Sequence, residues 1–249
     1  MFDLSGRVAL VTGAGQNVGA GIARMLAAQG AVVGVNDVVP ERAKETVGTI
    51  EAAGGRAVSV AFDVTSYDAV VGGIADLTGE LGPVDILVNN AGNGGTTVMR
   101  LEPFREMDPE SWDGPIRVNL YGVLHCCRAV INGMCDRGWG RVITISSAAA
   151  TQGAGIGVSP YSAGKGAGIS FMRSLALEVA RSGVTANTLA LGLMGMPDPT
   201  VTAALAAAIP VGRTGTPEDV GAACVWLASD HASWVTAQTI EINGGLVTT

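Results

Sequence analysis

Seven short runs of apolar and β-branched residues, alternating with six helical patterns, constrain this chain more than any other feature. The runs lie near 7–12, 31–36, 56–62, 84–88, 140–146, 184–190 and 238–242, and helical periodicity fills the gaps near 18–29, 40–53, 66–81, 109–136, 160–182 and 216–229. Strand–helix alternation implies parallel strands joined by right-handed crossovers, so it predicts an α/β fold with a doubly wound parallel sheet of about seven strands and helices on both faces. Composition agrees: 48% of the 249 residues are apolar but only 4% are aromatic. Val, Ala and Gly must supply the packing, as in strands buried on both sides. No linker or low-complexity stretch interrupts the pattern, and 1–249 reads as a single domain large enough to bury its own core. The rhythm breaks only at 192–215, where a Gly-, Pro- and Met-rich stretch leads into an Ala-rich helix ending near Ile209. A long insert of this kind predicts a cap over the site, with an ordinary surface connection as the alternative.

The chemistry-bearing residues fall at the ends of these strands. Val8-Ala9-Leu10-Val11 runs into Thr12-Gly13-Ala14-Gly15-Gln16-Asn17-Val18-Gly19 and then into an apolar-periodic helix. In a strand, glycine-rich turn and helix, main-chain N–H groups and the helix dipole can hold a pyrophosphate. Asp37 ends the second strand, 18 residues after Gly19, where a carboxylate can accept hydrogen bonds from the adenosine ribose of NAD. It would also suit the start of a loop. Further on, Arg141-Val142-Ile143-Thr144-Ile145-Ser146-Ser147 is a β-branched strand ending in two hydroxyls, of which Ser147 is the better candidate and Ser146 the spare. After a glycine-rich loop, Ser159-Pro160 starts a helix carrying Tyr161 and Lys165. Only two lysines and three tyrosines occur in the chain, and these two lie four apart, on one helix face. An ammonium there lowers a phenol's pKa by favouring the phenolate. A surface Tyr–Lys pair is the plain alternative.

With these pieces in order, the chain resembles the short-chain dehydrogenase/reductase family from about Leu4 to Gly245. The matching motifs are TGAGQNVG at 12–19, Asp37, Asp63-Val64, Asn89-Asn90-Ala91-Gly92, Asn119 within VNL, Ser147, and Tyr161-Ser162-Ala163-Gly164-Lys165. The segment from Pro210 to Gly245 looks like that of bacterial 3-oxoacyl-reductase-like members. The resemblance implies a Rossmann fold with the first strand central and a seventh at one edge. It also implies hydride transfer between NAD(H) and a secondary alcohol or ketone. Gly13, Gln16, Asn17, Val18 and Gly19 would hold the pyrophosphate, Asp37 the ribose, and Asp63 and Val64 the adenine. Asn90, Ala91 and Gly92 would line the cofactor, Lys165 would hold the nicotinamide ribose, and Leu193 and Met194 would add main-chain contacts. Catalysis would fall to Tyr161 as the proton-transferring phenol, Ser147 on the substrate oxygen, Lys165 beside the tyrosine, and Asn119 through a water linking the lysine to solvent. Relatives pair through the two long helices, so a homotetramer formed through helices near 109–136 and 160–182 is expected, with Gly164, Gly166, Ala167, Gly168 and Ala176 allowing close approach.

Four positions depart from the family pattern. Asn17 stands for a glycine, and asparagine tolerates the left-handed conformation better than most residues. Leu191 replaces a proline, Met196 a cofactor-contacting threonine, and Ala237 a glycine. The expected pocket contributors, Gly94, Gly95, Met99, Gly153 to Val158 and Met194 to Ala208, are small or apolar and point to an apolar substrate.

Other functions are disfavoured. The net charge of −7 and the lack of a basic run argue against nucleic acid. No apolar stretch reaches membrane-spanning length and the N-terminus lacks a signal-peptide pattern, so a cytoplasmic protein is expected. Cys126, Cys127, Cys135 and Cys224 read as buried thiols, and no Cys/His spacing indicates a metal. His125 and His231 read as structural. A NADPH-dependent 3-oxoacyl-carrier reductase is the main alternative, opposed by Asp37 and by Gln16 where phosphate-binding relatives carry a basic residue. A catalytically silent dinucleotide sensor conflicts with the intact Ser, Tyr and Lys. Like charges about 4 Å apart cost on the order of 4 kcal/mol at a dielectric near 20. After side-chain movement and screening, Asp37 predicts a roughly hundredfold to thousandfold preference for NAD. Arg42, placed a turn into the following helix, is expected out of reach.

Overall fold

The computed structural model describes residues 2–93, 95, 99–196 and 198–248. Gly94 and Pro197, both expected near the pocket, lie outside them. The strands are β1 (Val8–Val11), β2 (Val32–Asn36), β3 (Arg56–Val60), β4 (Ile86–Asn89), β5 (Gly140–Ser147), β6 (Val184–Leu191) and β7 (Thr239–Ile242). They form one seven-stranded sheet in the order β3-β2-β1-β4-β5-β6-β7, and every pairing is parallel. The chain reverses its direction of winding between β1 and β4, which opens a crevice at the C-terminal ends of those strands.

Alternate residues of each strand feed opposite faces. Ala9, Val11, Ile86, Val88, Ile143 and Ile145 face one core, which is closed by helices α1 (Asn17–Ala28), α2 (Pro40–Ala52) and α9 (Pro217–Ala228). Leu10, Leu87 and Val142 face the other, closed by α3 (Tyr67–Leu81), α5 (Gly122–Arg137) and α7 (Ser159–Val179). Local chemistry fixes several helix starts. Ser66 caps α3 by accepting from Ala69 N–H, and Thr216 and Asp219 form a reciprocal box at α9.

The helix expected over 109–136 is broken. A 3₁₀ turn over 109–112 leads into α4 (Asp113–Ile116), a π-helical turn over Arg117–Tyr121, and then α5. The physical cause is Asn119, whose Nδ2 donates to Pro115 O at 2.7 Å and so competes with the main-chain ladder one turn back. A short helix absent from the sequence expectation follows β5, as α6 (Ala148–Thr151), whereas the Ala-rich helix expected within the cap is present as α8 (Pro199–Ala206).

The small residues of α7 require a correction. Gly164, Gly168 and Ala176 are buried within the protomer. A Cβ on Gly164 would lie 3.1 Å from both Asn119 Cβ and Pro115 O. Gly164 and Gly168 therefore pack on the chain's own π-helical turn, Gly166 and Ala167 stay half-buried, and the outward face of α7 carries Leu177, 75% exposed.

At the opposite end of the sheet, buried Arg141 pairs with Asp230 at 3.3 Å. The Trp139 ring lies 3.6 Å from the Arg7 guanidinium carbon and 4.3 Å from that of Arg141. Cys126, Cys127 and Cys224 are buried free thiols as expected, whereas Cys135 is half-buried. His125 Nδ1 donates to Val64 O at 2.9 Å, a structural role. Among the described residues no Cys, His, Asp or Glu cluster could hold a metal, and no helix is long and apolar enough to cross a membrane.

Candidate active site

The crevice between β1 and β4 is pinned by Thr12 and Asn90. Thr12 Oγ1 accepts Asn90 N–H at 3.0 Å and Ala91 N–H at 3.1 Å, and Asn90 Nδ2 donates to Thr12 O and Gly13 O at 2.9 Å each. Neither Thr12 nor this role for Asn90 was legible as part of the site, because each bond joins residues 77 to 79 positions apart. Asn36 binds the turn as well: its Oδ1 accepts Gly13 N–H at 3.4 Å, and its Nδ2 donates to Val60 O and Phe62 O.

The glycine-rich turn has the shape a phosphate-bearing ligand requires. Asn17 adopts φ +49°, as its substitution for glycine demanded. A side chain on Gly19 would strike Gly13 O and Asn90 Nδ2, and one on Gly13 would come within 2.8 Å of Ala91 Cα. Gln16 and Asn17 are exposed at the mouth of the turn, and Val18 is half-buried. This cradle, bare of side chains and set at a helix N-terminus, fits a dinucleotide pyrophosphate. Asp37 is 6% exposed, with Oδ2 accepting Gly15 N–H at 3.1 Å and Oδ1 accepting Val39 N–H at 3.0 Å. Asp63 Oδ1 accepts the N–H and hydroxyl of Thr65 at 2.8 Å each, and Val64 packs on Gly122. Contrary to expectation, Arg42 is not remote. The point a Cβ on Gly15 would occupy lies 2.5 Å from Arg42 Cβ and 2.7 Å from Asp37 Oδ2. Spacing along the chain hid this, because α2 begins at Pro40 and its first turn folds back onto the Gly15 turn.

The second half of the site lies at the end of β5 and the start of α7. Ser147 caps α6, its Oγ accepting Ala149 N–H at 3.2 Å, which leaves its proton free to donate. Ser146 is buried, with its hydroxyl turned to Lys165 O at 3.4 Å. Ser147 is thus the hydroxyl that faces Tyr161. Burial raises the Tyr161 phenol above its ordinary value, and the Ser147 hydroxyl acts against that rise. The net direction is opposite to the lowering expected from Lys165. The physical reason is that Lys165 Nζ lies 5.9 Å from the tyrosine ring centroid and donates instead to Ile145 O at 2.6 Å. Burial also weakens the lysine's own charge, pulling its pKa down to about 8.

Asn119 and Lys165 meet at Gly92, where the point for a Cβ is 2.9 Å from both Asn119 Oδ1 and Lys165 Nζ. Asn119 Nδ2 is held by Asn93 O and Pro115 O at 2.7 Å each, while Oδ1 is buried with no partner among the described residues. Leu193 and Met194 follow β6 at the root of the cap, where Leu193 O accepts Gly215 N–H at 3.0 Å. Met196 is 53% exposed, its N–H and carbonyl both bound by the Thr202 hydroxyl.

A cavity of about 390 Å³ opens beside Tyr161. Met99, Gly157 and Val158 line it as expected, but so do Arg100, Glu102, Asp108 and Glu110. The small-or-apolar expectation is corrected accordingly. Residues 99–102 reach the pocket because Glu102 N–H bonds Gly157 O at 3.2 Å, a contact between segments far apart in sequence. Among the described residues, the cap from Met194 onward does not line this cavity; Met194 instead borders a second one of about 280 Å³ near Asn243.

Comparison with known proteins agrees with this geometry. A family model described as enoyl-(acyl carrier protein) reductase matches residues 13–247. The acetoacetyl-CoA reductase of Rhizobium meliloti is 41% identical over 96% of this chain and 98% of its own. Among solved structures, a 3-oxoacyl-[acyl-carrier protein] reductase with bound NAD from Brucella melitensis superposes with a TM-score of 0.92. It is 34% identical, and the match covers 100% of this chain and 94% of that one. A gluconate 5-dehydrogenase from Burkholderia cenocepacia in complex with NADP and tartrate gives 0.89 at 34% identity, covering 98% and 96%. With the fold, the crevice and these relatives in agreement, the chain belongs to the short-chain dehydrogenase/reductase family of oxidoreductases.

Proposed function

We propose that this protein interconverts a secondary alcohol and a ketone with NAD(H), using Tyr161, Ser147 and Lys165 as its working groups. The observation that carries the reading is their placement: the Ser147 hydroxyl bonds the Tyr161 phenol, which lines a cavity of about 390 Å³, while the buried Lys165 amine lies 5.9 Å from the tyrosine ring and beside Gly92. A bound nicotinamide supplies the hydride acceptor or donor. Ser147 holds the substrate oxygen through its oriented O–H. Tyr161 takes the hydroxyl proton in oxidation and returns it in reduction. Lys165 would hold the nicotinamide ribose, and its ammonium, buried beside Tyr161, would favour the phenolate. The buried, unpartnered Asn119 Oδ1 supports a water placed next to Lys165 Nζ, which would carry protons from the site to solvent.

Gly13, Gln16, Asn17, Val18 and Gly19 would hold the pyrophosphate, Asn90 to Gly92 would line the nicotinamide half, and Leu193 and Met194 would add main-chain contacts from the cap. Asp63 and Val64 border the adenine. Asp37, buried at the end of β2, supports NAD over NADP. The substrate's carbon skeleton lies against Met99, Met107, Val158 and Pro160, while the charged wall favours polar groups at its far end. A homotetramer built on the outer faces of α5 and α7 completes the proposal, supported by Leu177 standing exposed on α7.

The names of the relatives favour a second reading, reduction of a 3-oxoacyl thioester with NADPH. Asp37 opposes the phosphorylated cofactor, and Glu102, Asp108 and Glu110 oppose an anionic carrier. A panel of secondary alcohols and ketones, with acetoacetyl-CoA included and followed by NADH or NADPH absorbance, separates the two. Turnover confined to the thioester with NADPH would overturn the first reading.

A further inference from the structure

We propose that the cavity beside Tyr161 selects a cationic substrate: a secondary alcohol, or its ketone, whose other end carries a protonated or quaternary amine. This rests on the alcohol–ketone reading above and names the substrate class for it.

Three observations carry the proposal. The first is the make-up of the cavity that Tyr161 lines. Met99, Met107 and Val158 give it apolar surface. Glu102, Asp108 and Glu110 bring three carboxylates, against the one guanidinium of Arg100 among the described lining residues, which leaves two negative charges in excess. The second is that the chain does not neutralise this wall. The arginines that flank it in sequence are engaged elsewhere, Arg105 with Glu106 at 3.1 Å and Arg117 with Asp113 at 2.6 Å. Glu102, Asp108 and Glu110 have no ion-pair partner among the described residues. The third is that the wall is built in place. Glu102 N–H donates to Gly157 O at 3.2 Å, and Gly157, at φ +80°, has no room for a Cβ against the Glu102 main chain. Asp108 Oδ1 accepts Glu110 N–H at 3.0 Å and Asp108 O accepts the Ser111 hydroxyl at 2.6 Å, which fixes the 3₁₀ turn over 109–112. Side chains rooted on fixed main chain lose less freedom when they bind.

The mixed lining discriminates among ligands. Its excess negative charge repels the carboxylate of a sugar acid and the phosphates of an acyl carrier. A polyol would leave the apolar surface without a partner. A cationic amine on a short hydrocarbon chain satisfies both parts. In oxidation such an alcohol gives its carbinol hydride to NAD and its hydroxyl proton to Tyr161, and a ketone remains. The amine keeps its charge throughout.

The test compares substrates of matched shape and different charge. (2-Hydroxypropyl)trimethylammonium is paired with 4,4-dimethyl-2-pentanol, both also with longer methylene spacers, and 3-hydroxybutyrate serves as the anion. Turnover is followed by NADH absorbance. At its best spacer length the cation is expected to exceed its neutral twin about tenfold or more in kcat/KM, chiefly through KM, and the anion to be the poorest of the three. About 1 M NaCl should erase most of that preference in the wild type. The triple variant Glu102→Gln, Asp108→Asn, Glu110→Gln should cut the cation-to-neutral ratio about tenfold, while Arg100→Gln should raise it about twofold to threefold. A purely structural role for these side chains would change both members of a pair alike and leave the ratio where it was.

A wild-type ratio near one at every spacer length would overturn the proposal and leave the alcohol–ketone activity standing. So would a preference for the cation that neither salt nor the triple variant reduces. Titration with NADH verifies the fold of each variant, and the salt series needs no variant at all. A wild type that turns over no secondary alcohol or ketone of any charge would overturn the alcohol–ketone reading itself, and this proposal with it.

Discussion

Tyr161 and Lys165 are adjacent in function but differ in what the fold does to them. Burial disfavours the charged form of each, raising the phenol and pulling the amine down to about 8. Tyr161→Phe deletes only the hydroxyl proposed to transfer the proton. Turnover is expected to fall at least about a thousandfold, within the range general acid–base groups contribute, with NADH affinity nearly intact. A phenylalanine variant keeping a tenth of wild-type kcat would remove Tyr161 from the mechanism. Lys165 makes a different prediction. Its folded value near 8 lies below the ordinary 10.5, so between those values the unfolded chain binds more protons and stability rises with pH. Below pH 8 the buried ammonium destabilises the fold by up to about 3 kcal/mol. Lys165→Met should therefore be inactive but more resistant to urea than wild type at pH 7, with the difference shrinking as pH climbs from 8 towards 10.5. A Lys165→Met protein less stable than wild type at pH 7 would show that the bond to Ile145 O outweighs the burial cost.

Among the elements, two irregularities have identifiable causes. The π-helical turn over Arg117–Tyr121 exists because Asn119 spends its amide on Pro115 O and Asn93 O, and that same commitment aims Oδ1 at Lys165. The loop before β7 holds the other. Ala237 adopts φ +60°, a conformation in which a Cβ crowds the main chain, at a position where the family pattern leads one to expect glycine. The left-handed conformation costs an alanine about 1–2 kcal/mol, while glycine gives back part of that through the freer unfolded chain. Ala237→Gly should accordingly stabilise the protein by about 0.5–1 kcal/mol, seen as a higher urea midpoint at constant slope. A lower midpoint would place the strain elsewhere.

For the whole molecule, Leu177 stands 75% exposed on the outer face of α7. The proposed tetramer would cover it. Light scattering at micromolar concentration should give a mass near four chains, and Leu177→Glu should lower it. A monomeric wild type would sink the assembly. Much of the architecture was written locally. Period-2 and period-3.6 patterning placed all seven strands and six helical regions, because each strand had to fill two cores with alternate residues. The glycine turn, Asp37, Ser147, Tyr161 and Lys165 were legible because strand ends and one helix turn bring them to the same sheet edge. The rest depended on contacts between distant segments. Thr12 meets Asn90 only because β1 and β4 are neighbours, Glu102 meets Gly157 only because a loop doubles back over α7, and Arg42 meets Gly15 only because α2 starts against the turn. Sequence by itself determined the fold and which candidate groups stand at the strand ends, since both follow from local patterning. Tertiary structure alone decided the charge on the pocket wall, the burial of Lys165 and the neighbour of Asp37, since each depends on what the folded chain places across a gap.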